Sequence, residues 1–189
     1  MKMLKKLLAV VLTGAMALTL FTACGSNAVG NAVTDKDLAD AMTDVAKAQG
    51  LDVIVTPRAE EWEMARKIAA LAESGTDNVD NEKKILGCDQ GGVNENNFAW
   101  VDTVFTDGLG TSKQAYRLMN NSVLIPSRAR NGYNDNLVGK RPAGIYYMGT
   151  ALYKGTNMKG EPVTVRVVVV TAPVEGQEPQ RPGKHDFFP

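Results

Sequence analysis

The run "PVTVRVVVVTA", Pro162 to Ala172, constrains this chain more than any other stretch. Val163, Val165 and Val167 alternate with Thr164 and Arg166, the period of a half-buried strand, and the valines then become continuous from Val167 to Val170. A strand whose successive residues are all apolar has both faces covered, so this one belongs inside a sheet and beneath other elements. The preceding run "AGIYYMGTALY" is also β-rich, and "KGTNMKG" between the two supplies glycine and asparagine for a turn, so the pair reads as a hairpin.

Upstream the periodicity is helical. Thr34 with Asp37 three residues on forms a start resembling a capping box, and Leu38, Ala41, Met42 and Val45 recur at helical spacing up to Gly50, predicting a helix over Asp35 to Gln49. "LDVIV" is a short apolar link. Thr56-Pro57 then offers an N-cap and first-turn proline for a second helix ending at Ser74, with Trp62, Ala65, Ala69 and Ala72 as its inward stripe and Ile68 and Leu71 beside it. Thr76 to Lys84 has no apolar period and reads as a solvated loop. Phe98 to Phe105 is apolar without a decisive period. Thr111 is positioned to cap a third helix through Asn121, and "SRARNGYNDN" is loop by composition. Helices first, then a helix and a terminal antiparallel pair, make an α+β order without βαβ crossovers.

The N-terminus sets the location. Lys2, Lys5 and Lys6 precede an apolar run from Leu7 to Leu20 that Thr13 and Gly14 interrupt, the pattern of a secretion signal, and shorter than the ~20 apolar residues that cross a bilayer. The run ends in "LFTACGS", which resembles the lipobox of bacterial lipoproteins. Residues 1–23 then read as a leader, residues 24–34 as a lipidated tether, residues 35–172 as one domain, and residues 173–189, "PVEGQEPQRPGKHDFFP", as a proline-rich, extended tail. Acylated Cys24 would anchor an extracytoplasmic domain to the cell membrane, with two acyl chains giving stable attachment. The chain has 21 basic and 21 acidic residues; without the three leader lysines the balance is 18 against 21, a charge of −3, which argues against a nucleic-acid partner. Once Cys24 carries lipid, Cys88 is the one remaining cysteine and stability must come from packing.

Five short motifs carry a family resemblance. "AKAQGL" and "RAEEWEMARKIAALA" resemble the first two helices of the CAP superfamily, also called SCP, which includes cysteine-rich secretory, antigen 5 and pathogenesis-related proteins. "NENNFAW" resembles that family's Gly-Glu-Asn-Ile-Ala motif and puts Glu95 and Asn96 on its Glu-Asn pair, with Asn94 where glycine is usual. "MNNSVLIPSRARNGYND" and "AGIYY" resemble two later motifs, placing Ser127-Arg128 on the His-Arg pair and Tyr146 on a cleft strand. The resemblance implies an α-β-α sandwich with a central antiparallel sheet and a cleft at Glu95, Asn96, Ser127, Arg128 and Tyr146. The family's two cleft histidines have no counterpart, for the sole histidine, His185, lies in the tail.

The chemistry these residues can support is narrow. Without HExxH, CxxC or a histidine before the tail, a zinc site lacks its usual neutral ligand, and Asp77, Asp80 and Glu82 lack the glycine and distal glutamate of an EF-hand. No metal or cofactor is expected. GxSxG and SxxK are absent, and neither a serine nor Cys88 has a histidine within the domain to act as its base. Glu95 is the candidate carboxylate, either as a general base or as a group that fixes its own turn. Arg128, Arg130, Lys140 and Arg141 around Tyr133 could attract an anionic envelope polymer or lipid head group. Three readings follow: a non-catalytic binding domain on the cell surface, an envelope hydrolase using Glu95 as base with Asp89 as partner, and an α+β accessory lipoprotein outside the CAP family.

Overall fold

A computed structural model describes residues 28–94, 96–120 and 142–177. The chain divides into two units, Met1–Thr34 and Asp35–Pro189. Of the first, the described part is the opening of helix α1, Ala28–Ala48. The second holds β1 (Ile54–Pro57), α2 (Ala59–Glu73), α3 (Val79–Leu86), β2 (Val93–Asn94), β3 (Asn97–Phe105), α4 (Thr111–Leu118), β4 (Ile145–Thr156) and β5 (Pro162–Pro173). None of the described helices is long and apolar enough to cross a membrane.

The five strands form one sheet in the order β1-β4-β5-β3-β2. β5 is central: it pairs antiparallel with β3 from Asn97↔Pro173 to Phe105↔Val165, and with β4 from Tyr147↔Thr171 to Thr156↔Pro162. Strand alternation sends the two halves of the valine run to opposite faces, and both are covered. On one face Val168 and Val170 pack with Phe98, Trp100, Tyr146 and Met148 beneath α1 and α4, through Leu38, Met42, Ala115 and Leu118. On the other, Val167 and Val169 pack with Ala99, Val101 and Ala151 beneath α2 and α3, through Ala65, Ile68 and Leu86. The protein is therefore of α+β class, with helices on both sides of the sheet.

The sheet is mixed rather than antiparallel, because "LDVIV" is more than a link: Ile54–Pro57 forms β1, parallel to β4 in the register Ile54↔Ile145 to Pro57↔Met148. Pro57 thus closes a strand instead of opening a helix, and α2 begins at Ala59 after Arg58, whose N–H donates to the Met148 carbonyl at 2.8 Å. The edge is protected from further pairing. Ile54 and Arg58 direct their N–H groups to the carbonyls of Gly144, just before β4, and of Met148 on it, so Val55 and Pro57 face outward; the Val55 N–H donates to Thr43 Oγ1 at 2.9 Å and Pro57 has none. At the other edge a side chain replaces a strand. Gln90 Oε1 accepts the Val101 N–H at 2.9 Å while its Nε2 donates to the Val101 carbonyl.

Three further expectations are corrected. The stretch expected as a loop from Thr76 to Lys84 contains most of α3, because Asn78 accepts the Asn81 N–H at 2.9 Å as N-cap and Gly87, at φ 75°, ends the helix in the left-handed region. Thr111 is the first residue of α4 rather than its cap, which is Gly110. The domain runs past residue 172: Pro173 is in β5 and Val174 is buried, its N–H donating to the Asn96 carbonyl at 2.7 Å.

Candidate functional site

Of the residues expected to line a cleft, Glu95, Ser127 and Arg128 lie outside the described residues, as do Cys24 and the basic cluster from Arg128 to Arg141. Asn96 is exposed at the tight connection between β2 and β3, where Asn94 pairs with Asn97. Tyr146 is in the core. Its ring stacks on Trp100 at 5.8 Å, and Trp100 stacks on Phe98 at 5.8 Å with only 2° between the planes. Burial pushes the Tyr146 phenol up to about 12. Asn96 and Tyr146 therefore stand in opposite environments, one at the surface and one supporting the sheet. Trp100 is buried too, as expected of a core tryptophan, and its Nε1 has no hydrogen-bond partner among the described residues. It is directed at Gly91, where a Cβ would lie only 3.1 Å from Nε1 and where φ is 70°.

The other proposed partners are engaged locally. Asp89, the hydrolase reading's partner for Glu95, is exposed and ion-paired with Lys83 at 2.9 Å. Cys88 is buried, and desolvation, reinforced by Asp89, raises its thiol above the usual range. Among the described residues no three His, Cys, Asp or Glu side chains converge as a metal-binding group. Burial raises the carboxyls of both Asp77 and Glu82, and Asp77 adds to the effect at Glu82.

Two buried polar clusters, one per face of the sheet, are absent from the sequence reading. Beneath α1, Asp35 Oδ2 accepts the Thr150 N–H at 3.2 Å and its Oδ1 accepts the Thr150 hydroxyl. Arg166 Nη1 donates to Thr150 Oγ1 at 2.9 Å and stands 3.7 Å from Asp35 Oδ1. Its Nε donates to Gln114 Oε1 at 3.1 Å, and Gln114 Nε2 donates to the Leu109 carbonyl at 2.7 Å. Desolvation outweighs the attraction of the pair, raising the Asp35 carboxyl and lowering Arg166.

Beneath α2, Glu61 is fully buried although it lies in the first turn of an otherwise charged helix start. Arg58 grips both its oxygens, with Nε at 2.7 Å from Oε2, and the Thr171 hydroxyl donates to Oε1 at 2.6 Å. The guanidinium also lies 4.1 Å from the centre of the Tyr147 ring and 3.0 Å from Glu60. This two-point carboxylate grip is the strong form of an arginine contact, and Glu61 raises the Arg58 guanidinium further above its ordinary value. Gly149 makes the approach of α2 possible: a Cβ there would be 2.0 Å from the Trp62 nitrogen.

Searches against family models, curated proteins and solved structures find no match. Function must therefore be argued from the chain's own residues. The buried charges and their partners build the fold: each carboxylate ties a helix to the sheet, Asp35 through Thr150 on β4 and Glu61 through Thr171 on β5, with Arg58 holding both Glu61 oxygens. The sequence held a signal for one of them, since Arg166 interrupts a valine run where an outward residue was expected. The i, i+3 spacing of Arg58 and Glu61 was the signal for the other.

Proposed function

We propose that the protein is a lipid-anchored, extracytoplasmic α+β domain, CAP-like in its motifs, that acts by binding an anionic envelope ligand rather than by catalysis. The observation that carries the reading is the spacing between "LFTACGS" and the domain. Asp35, eleven residues after Cys24, is already locked into the fold by Thr150 and Arg166. A lipid on Cys24 would hold the domain close to the membrane with no room for a long stalk.

The CAP-like kinship is supported by "NENNFAW" and "AGIYY" and by helices on both faces of the sheet. The absence of a catalytic role is supported by the use of Asp35, Glu61, Arg58 and Arg166 in internal bonds. The basic residues Arg128, Arg130, Lys140 and Arg141 supply the positive charge that an anionic polymer would meet.

Thermal unfolding of the full chain in detergent tests the reading, with a teichoic-type polymer, zinc, manganese and calcium as separate additions. A ligand at 100 times its Kd stabilises the folded state by ~2.7 kcal/mol. The polymer should raise the midpoint and the metals should leave it unchanged. A rise with metal alone would contradict the reading.

A further inference from the structure

One end of the sheet carries an apolar face that α2 and α3 leave uncovered. They pack on the side of Ala151, Val167 and Val169, but α2 begins only at Ala59, and its Glu61–Trp62 backbone lies against Gly149. On the same side of the sheet, before that level, stand Ile145 and Tyr147 on β4 and Ile54 on β1. Ile54 is in register with Ile145, and strand alternation sends their neighbours Val55 and Tyr146 into the opposite core. Ile54 is 55% exposed, and Ile145 and Tyr147 are partly exposed. Arg58, 4.1 Å from the centre of the Tyr147 ring, marks the border with α2. The outer edge of β1 is closed by Thr43 and Pro57, so an occupant packs on this face and does not extend the sheet.

The described chain ends beside this face. β5 leaves the sheet here, and Val174 bridges Pro142, three residues before Ile145. The backbone then reverses: the Gln177 N–H donates to the Val174 carbonyl at 2.9 Å, and Gly176, at φ 83°, takes the left-handed position of a tight turn. Gln177 is thus turned back toward the sheet with twelve residues, 178–189, to follow. Phe187 comes ten residues after Gln177, a reach of about 33 Å when extended. Strand spacings put Ile54 about 15 Å from Val174, whereas Phe105, opposite Val165 at the hairpin end of the sheet, lies about 30 Å away. The near face needs half of the available reach and the far end nearly all of it. Phe187 and Phe188 are the sole large apolar side chains of the tail, and its polar residues offer them no cover. Pro179 and Pro182 stiffen the path and reduce the entropy lost on docking.

We propose that the C-terminal tail docks on its own domain, with Phe187 and Phe188 covering the face formed by Ile54, Ile145 and Tyr147. The full chain, dilute in nonionic detergent, carries benzoylphenylalanine in place of Phe187, is irradiated and is digested with trypsin. The probe then lies in peptide 185–189, and the face lies in peptides 48–58 and 141–154. The probe peptide should be joined to one of these two within a single chain. The yield should fall in Ile54→Asp and hold in Met158→Asp, a change at a fully exposed side chain on the hairpin turn. Joining between two chains would make a second copy the occupant and overturn the proposal. Adducts with detergent, links confined to other peptides, or an equal yield in both variants would overturn it too. Urea midpoints give a second reading: the loss caused by Ile54→Asp should shrink when Phe187→Ser and Phe188→Ser are also present, and an unchanged loss would contradict the docking.

Discussion

Asp35 on α1 and Arg166 on β5 meet inside the protein with 3.7 Å between carboxylate and guanidinium, Thr150 bridging them and both buried. Removing one partner strands the other. Asp35→Ala should destabilise the folded state by ~3–5 kcal/mol, and Asp35→Ala combined with Arg166→Met should recover part of that loss. Urea unfolding midpoints of the three variants and wild type close the cycle; additive losses would contradict a coupled pair.

The same carboxyl gives stability a pH dependence of unusual sign. Desolvation raises it in the folded state despite the bonds from Thr150 and the attraction of Arg166, so the folded protein binds this proton more tightly than the unfolded chain does. Its contribution is fully present below the ordinary value of 3.8 and is lost as pH rises through the raised folded value. The stability of wild type relative to Asp35→Asn should therefore fall across that acid window and then level off. Paired urea titrations at stepped pH check this, and a relative gain for wild type on raising pH would contradict it.

Gly149 fixes how closely α2 lies on β4. A methyl there would meet the backbone of Glu61 and Trp62 at 2.0 to 2.4 Å, atoms that cannot rotate away. Gly149→Ala should cost about 3 kcal/mol or more and lower Tm by roughly 6–12 °C. A scanning thermal melt decides it, and a shift near zero would mean that α2 is not seated as described.

Cys88 should behave as a packing residue. Its thiol is buried and raised, so it has little thiolate at neutral pH. Alkylation by iodoacetamide should be slow in the native protein and rapid in urea, following the unfolding curve. Rapid native labelling would place Cys88 among reactive cysteines instead.

What could be read from the chain follows the range of the interactions involved. The β4–β5 hairpin, the two-sided burial of the valine run and most of α1 and α2 were legible because periods of 2 and 3.6 are local. α3 was missed although Asn78 and Gly87 are ordinary cap residues, because its polar composition argued for loop. β1 was missed because four residues ending in proline resemble a helix start, and only pairing with β4, some 90 residues later, makes them a strand. Arg166 was read as a polar position of an alternating strand and Glu61 was not singled out, since their partners come from afar: Glu61 and Thr171 are 110 residues apart, and Asp35 and Thr150 are 115 apart. Of the expected cleft, Asn96 and Tyr146 differ for a reason of the same kind. Strand alternation turns Tyr146 toward α1, and only the whole sheet fixes which face that is.

The central claim is that lipid on Cys24 holds this domain at the outer face of the membrane. Incorporation of labelled palmitate into the full-length chain, compared with Cys24→Ser, tests it most directly. The account predicts label in the wild-type chain and none in Cys24→Ser, which should appear in the soluble fraction. Label absent from both, or equal in both, would contradict it.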